Sequence, residues 1–173
     1  SIPRHCNSST KSEISITFKF KQTYIICIFL PLIIAYFSAM ILVTGGTGLV
    51  GSHLLYFLAA SGANLRATHR KTSDLSRVEK IFGYYTDKKT ARSLFNTIEW
   101  VQADITNIPA LTIAFKNCKQ VYHCAAIIDF DPKKYELLKK VNTQATANIV
   151  NLALAHGIKK LCYVSSIATL GTT

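Results

Sequence analysis

Residues 40–51, Met-Ile-Leu-Val-Thr-Gly-Gly-Thr-Gly-Leu-Val-Gly, constrain this chain more than any other stretch. An apolar run ends at Thr44, and four glycines fall within the next seven positions. The pattern reads as a buried strand, a sharp turn and the opening of a helix. Gly45, Gly48 and Gly51 sit three residues apart, while Gly46, Gly48 and Gly51 satisfy the literal G-x-G-x-x-G spacing. In either frame glycine permits the turn, admits backbone N–H groups to a pyrophosphate and lets the helix pack close on the sheet. The helix then turns its positive N-terminus to the phosphates. Glycine clusters also make plain turns. Here the apolar run before and the amphipathic run after supply the context of a dinucleotide site.

The 173 residues suffice for one α/β domain with a real core and are too few for two large ones. Hydrophobic content of 49% against 17% charged residues argues for a densely buried fold, not a disordered chain. The net charge of +11 divides into +3 from residues 1–39 and +8 from the remainder. Its lysines lie scattered in pairs such as Lys88-Lys89 and Lys139-Lys140, without interleaved aromatics, so they read as solvated faces and not as a nucleic-acid groove. Five dispersed cysteines (6, 27, 118, 124 and 162) form no C-x-x-C pair. They suggest reduced thiols in a cytoplasmic setting, with neither disulfides nor a metal site.

Residues 1–39 differ from the rest. Ser1 to Gln22 is polar and basic, and Tyr24 to Met40 is almost uninterruptedly apolar. A membrane span needs about 20 apolar residues, and this run reaches that length only by absorbing Ile41–Val43. Those residues are needed as a central strand, and no linker separates the two. Phe37 is wrong for a signal-peptide cleavage site after Ala39. The expectation is therefore a non-domain tail upstream of a natural start at Met40, the one methionine of the chain, followed by the domain at 40–173.

From Met40 strands and helices alternate. A helix runs from Gly51 to Ser61 and stops at Gly62. Asn64–Thr68 is a second strand, and Ser73–Phe82 and Lys88–Thr97 are helical pieces around a Gly83-Tyr84-Tyr85 break. Ile98–Gln102 is the third strand, Asn107 caps a helix with Pro109 in its first turn, and Gln120–Cys124 is the fourth strand. Asp131-Pro132 caps a long helix with Leu137, Leu138, Val141, Ala145, Ile149 and Leu152 on one side, ending at Gly157. Leu161–Ser165 is the fifth strand. This order predicts an α/β, doubly wound parallel sheet of the Rossmann type, with helices on both faces.

In such a sheet ligands bind beyond the carboxyl ends of the strands, so the informative residues are those that end strands. An NAD site usually places an acid at the end of the second strand, on the ribose 2′-hydroxyl. Arg70 and Lys71 stand there instead, suited to a 2′-phosphate, or simply a solvated basic loop. Asp104 ends the third strand, where it accepts from an adenine amino group or merely caps the next turn. His123-Cys-Ala-Ala126 ends the fourth, with small residues that let backbone lie against a flat cofactor; His123 itself reads as a packed structural histidine. Val164-Ser165-Ser166 ends the fifth, where a hydroxyl faces a substrate carbonyl or caps a turn.

Five stretches in this order, TGGTGLVG (44–51), ADI (103–105), HCAA (123–126), VNTQATAN (141–148) and YVSSIATLG (163–171), resemble the extended short-chain dehydrogenase/reductase family, also called the NAD-dependent epimerase/dehydratase family. LRATHRK and HCAAIIDF are most similar to its dihydroflavonol-reductase and 3β-hydroxysteroid-dehydrogenase branch. The resemblance implies a cofactor site built from Gly45, Thr47, Gly48, Leu49, Val50, Gly51, Arg70, Lys71, Asp104, Ile105, Ala125, Ala126, Asn142 and Ser165. It implies Ser166 as the catalytic serine and Arg70 as a contact of the NADP 2′-phosphate.

The family's catalytic Tyr-x-x-x-Lys follows the fifth strand, and no such pair follows it here. The spacing does occur at Tyr84/Lys88, Tyr85/Lys89 and Tyr135/Lys139, all before that strand and thus in the wrong place. The resemblance therefore implies the cofactor-binding part of an NADP(H)-dependent oxidoreductase acting on a secondary alcohol or ketone, inactive as this fragment, with NAD(H) as the alternative cofactor. A nucleotide-sugar epimerase or dehydratase is the enzymatic alternative, and a non-catalytic cofactor sensor the other. A small-molecule substrate is implied, with no nucleic-acid partner and no membrane association, and the complete protein has room for a homodimer.

Overall fold

The computed structural model describes residues 39–166. The expectations for the tail, for Cys6 and Cys27, and for the last residues of the YVSSIATLG stretch lie outside those residues.

Strand β1 (Met40–Thr44) runs through the centre of the sheet, with Leu42, Val43 and Thr44 fully buried. It is followed by α1 (Leu49–Ala60), β2 (Leu65–His69), α2 (Ser76–Phe82), α3 (Lys88–Asn96) and β3 (Ile98–Gln102). Then come α4 (Ile108–Phe115), β4 (Cys118–His123), a short α5 (Tyr135–Leu138), α6 (Ala145–Ala155) and β5 (Lys160–Tyr163). All strand pairings are parallel, in the order β3-β2-β1-β4-β5. A parallel sheet needs cover on both faces, and alternation along β1 shows how this one obtains it. Leu42 packs with Leu111, Phe115, Val121 and Ile149 under α4 and α6. Ile41 and Val43 pack on the other face with Leu55, Val78 and Phe82 under α1 and α2. Each such side chain removed from water contributes about 1.5–3 kcal/mol, so β1 anchors two cores at once.

The predicted Rossmann architecture is present, and the differences are local. Strand ends shift by one or two residues. Helix α2 begins at Ser76 and not at Ser73, because residues 70–73 close a turn through Ser73 N–H to the Arg70 carbonyl, and Asp74 accepts from Ser76 N–H. Asn107 accepts from Ala110 N–H with Pro109 in the first turn of α4, as its position predicts. Asp131 caps a 3₁₀ turn (Pro132–Lys134), not a long α-helix, and a π turn (Lys139–Gln144) interrupts the rod between α5 and α6. One wider turn resets the side-chain register. Hence Val141, Ala145, Ile149 and Leu152 meet the core while Leu137 remains half exposed. No helix among the described residues is long and apolar enough to cross a membrane.

Arg66 is the polar exception inside the sheet. It lies opposite Leu42 on β1 and Glu99 on β3 and is 9% exposed. Its Nη1 donates to the carbonyls of Ala114 (2.8 Å) and Lys116 (2.7 Å), and Nη2 to Glu99 Oε2 (2.9 Å). One guanidinium thus ties β2 to β3 and to the end of α4. Removing it leaves the buried Ala114 carbonyl and the partly buried Lys116 carbonyl without this donor, and a stranded buried group costs about 1–3 kcal/mol. Arg66→Leu is expected to lower stability by about 2–4 kcal/mol in urea unfolding with an unchanged m-value. Glu99→Gln is expected to cost less than about 1 kcal/mol, since its carboxylate is half exposed. Equal costs for the two substitutions would show that the carbonyl contacts carry no weight.

Candidate functional site

The site begins with the turn after β1. Gly45 adopts φ +71°, and a Cβ there would lie 2.6 Å from both N and Cα of Ala125. The glycine loop therefore rests directly on the backbone that follows β4. A Cβ on Gly51 would lie 2.2 Å from the Gly45 carbonyl oxygen, so the first turn of α1 packs on the same loop. Gly46 sits against Leu55 and Ala67 in the core, so both glycine frames of the sequence have a physical use. Gly48 N–H donates to the Gly45 carbonyl at 2.9 Å, and the Gly48 carbonyl accepts from both the N–H and the hydroxyl of Ser52. Gly48 is also the N-cap of α1 and offers no side chain to it. The first N–H groups of α1 thus open toward the loop without an intrahelical acceptor, at the positive end of the helix. These N–H groups, on a loop that glycine packing holds in place, fit a pyrophosphate.

A cleft of about 200 Å³ lies beyond the carboxyl ends of the strands, beside the β1/β4 junction where the strand order reverses. Gly45, Thr47 and Gly48 form one wall. Arg70 enters from the end of β2, Asp104 and Ile105 from the end of β3, and Ala125 and Ala126 from the segment after β4. The structure thus brings eight of the residues named from the sequence to one place. Leu49 and Val50 are 74% and 50% exposed and lie outside the cleft wall. Lys71 is exposed and outside the cleft wall, and Ser165 and Ser166 follow β5 in exposed positions, also outside it.

Six lining residues were not among the cofactor contacts implied by the sequence: Thr68, His69, Ala103, Cys124, Ile127 and Val141. The first five adjoin named residues at strand ends, and widening each strand end by a position or two would have found them. Val141 opens the 141–148 stretch and belongs to the apolar stripe, but neither reading places it at the cleft, which it lines from within the π turn.

Asp104 is a turn cap that also lines the cleft. Oδ1 accepts from the N–H (2.8 Å) and hydroxyl (2.7 Å) of Thr106, which caps the turn. Burial acts to raise its carboxyl and is the largest single influence. The Thr106 bonds and the charges of Arg70 and Lys140 outweigh it, and the group is held below the usual carboxylate range. Asn142 does not line the cleft. Its Nδ2 donates to the Ile127 carbonyl (2.8 Å) and its Oδ1 accepts from Ile127 N–H (3.0 Å), so it clamps the segment that carries Ala125 and Ala126.

His123 is structural, in line with its reading from the sequence. Its ring is 1% exposed and bridges Thr44 (Nδ1 to Oγ1, 2.6 Å) and Thr146 (Nε2 to Oγ1, 3.0 Å), with Tyr163 stacked on it. Burial pushes its pKa down to about 4. Cys124 borders the cleft, but burial, reinforced by Cys162, pushes its thiol up to about 11, so it stays protonated and inert. Cys118, Cys124 and Cys162 are free thiols. None of Tyr84, Tyr85 and Tyr135 reaches the cleft wall; Tyr85 pairs with His53 and stacks on Tyr56.

The description of the NAD dependent epimerase/dehydratase family matches residues 41–173. The chain belongs to that family. A putative dihydroflavonol 4-reductase of Synechocystis sp. is 31% identical over 129 residues, which is 75% of this chain and 33% of that protein. Rat 3 beta-hydroxysteroid dehydrogenase type 7 is 29% identical over 131 residues, 75% of this chain and 36% of the relative. Among solved structures, an epimerase of Methanothermobacter thermautotrophicus superposes with a TM-score of 0.63 at 28% identity, covering 78% of this chain and 37% of that one. The chain thus spans about a third of the length of these relatives.

Two outcomes follow for the family fold as this chain builds it. Gly45 and Gly62 both have positive φ, but nothing lies within 4 Å of a Cβ on Gly62. Gly62→Ala is expected to cost only the conformational strain, about 1 kcal/mol, whereas Gly45→Ala must also displace backbone and is expected to cost at least about 3 kcal/mol. Thermal unfolding of both variants checks the difference. His123 has a folded pKa below its unfolded value near 6.5, so its contribution is whole above about pH 6.5 and fades as the pH falls toward 4. Over that window the wild type should lose up to about 3 kcal/mol more than His123→Gln, read from urea midpoints at each pH.

Proposed function

We propose that residues 40–173 form the cofactor-binding part of an NADP(H)-dependent oxidoreductase that acts on a secondary alcohol or ketone. Arg70 in the cleft wall, at the end of β2, is the observation that carries the reading. An acid at that place would accept from a ribose 2′-hydroxyl and repel a 2′-phosphate; a guanidinium pairs with the phosphate. Relatives that include dihydroflavonol 4-reductases support the substrate class.

In this reading the N–H groups at the start of α1 and the glycine loop hold the pyrophosphate, while Asp104 accepts from the adenine amino group. Ala125 and Ala126 give the cofactor a flat wall, and Asn142 keeps that wall in place through Ile127. Ser166 donates a hydrogen bond to the carbonyl oxygen of the substrate and polarises it. The nicotinamide, when bound, supplies or takes up hydride.

Titrating the protein with NADPH and NADH, followed by fluorescence, tests the proposal. A charge-assisted contact is worth about 1.5–3 kcal/mol, so NADPH should bind on the order of ten- to a hundredfold more tightly. Arg70→Ala should erase that preference and leave NADH within about twofold. Equal binding by the wild type would sink the NADP reading and favour the NAD-dependent epimerase or dehydratase.

A further inference from the structure

Ser73 lies in the turn between β2 and α2, and the sequence motifs give it no role. Its half-buried side chain stands between two parts of the cleft wall. Ser73 Oγ accepts from Arg70 N–H at 3.1 Å and from Thr47 Oγ1 at 3.4 Å. The Arg70 carbonyl accepts in turn from Ser73 N–H at 2.9 Å. The basic turn is thus folded back on itself and moored to the glycine loop through one hydroxyl.

A serine oxygen accepts twice and donates once. The Arg70 N–H bond occupies one acceptor position, and the remaining partner among the described residues is the Thr47 hydroxyl, a contact in which either hydroxyl can donate. The Thr47 contact, at 3.4 Å, is well beyond the usual 2.7–2.8 Å of an O–H···O bond, so the two hydroxyls leave room for a stronger acceptor. Arg70 supplies a positive charge at the same edge of the cleft, and an anionic oxygen there would shorten and strengthen every donor contact.

Building on the NADP(H) reading, we propose that Ser73 is a specificity-determining residue that donates its proton to the 2′-phosphate of the cofactor, together with Thr47 and beside Arg70. The phosphate replaces the long Thr47–Ser73 contact, and the Arg70 N–H bond holds Ser73 in place before the ligand arrives. The 2′-hydroxyl of NADH, weaker as an acceptor and shorter in reach, gains nothing from the arrangement.

The test uses isothermal titration of the protein with 2′,5′-ADP, ADP, NADPH and NADH. Ser73→Ala should weaken 2′,5′-ADP and NADPH by about five- to twentyfold and leave ADP and NADH within twofold. Ser73→Thr, which keeps the hydroxyl, should restore binding of the 2′-phosphate ligands to within about threefold of the wild type. A purely structural role would move all four ligands together, and that result would overturn the proposal. So would an unchanged NADPH affinity in Ser73→Ala while Arg70→Ala loses it, an outcome that leaves the NADP reading standing. A wild type that binds 2′,5′-ADP no better than ADP would remove both.

Discussion

The contact on which the structure depends is between two pieces of backbone. Gly45 lies so close to Ala125 that no side chain fits between them. That approach fixes the loop after β1 against the segment after β4, across the line where the strand order reverses. The cleft exists because those two loops diverge from there, one into α1 and the other toward the 3₁₀ turn. Its floor is held by side chains as well. Thr44, His123 and Thr146 link β1, β4 and α6 in one buried chain of hydrogen bonds, and Asn142 adds a second tie from the π turn to Ile127. Both nitrogens of His123 are engaged, and the ring is neutral at physiological pH. A charged ring there would need solvation that the sheet cannot give.

The two ends of the sheet handle polar groups differently. At the amino ends Arg66 is enclosed by acceptors, and its charge is spent inside the protein. At the carboxyl ends donors remain available: the first N–H groups of α1, the guanidinium of Arg70 and the loosely paired hydroxyls of Thr47 and Ser73. A buried donor with an acceptor contributes to stability, while an open one costs little at a solvated edge and is available to a ligand. The sheet thus concentrates its binding capacity at one edge without weakening its core.

The fold was legible in the sequence because its signals are local and repeated. Strand, glycine turn and helix recur at the spacing of a β-α unit, and the apolar stripe of α6 faces the core where periodicity places it. The glycine cradle was legible for a related reason, since turn chemistry depends on a few adjacent residues. What stayed hidden depends on register and on partners distant in sequence. The π turn has no clear mark in Lys139–Gln144, and it decides both the exposure of Leu137 and the position of Val141. Arg66 reads as an ordinary polar residue in an apolar strand, and only the packing of α4 reveals its two carbonyl partners. Ser73 looked like the start of a helix, whereas the reciprocal bonds with Arg70 make it the end of a turn.

The net charge of +11 does not by itself select a cofactor. A diffuse positive field attracts every dinucleotide alike, and at physiological ionic strength it fades beyond about 8 Å. Selection between NADPH and NADH needs a contact that only one of them makes. The cleft sets Arg70 near Asp104, whose carboxylate stays ionised under the Thr106 bonds, so the two charges largely offset each other at a distance. What survives at short range is direction: a planar guanidinium and the hydroxyls of Thr47 and Ser73 come from the β2 turn and the glycine loop, and the carboxylate comes from the end of β3. In the proposed reading that separation lets one small site accept a phosphate on one side and an amino group on the other. Neutralising Asp104 would leave a more positive but less discriminating cleft, because the pairing of each ligand group with its own end would be lost.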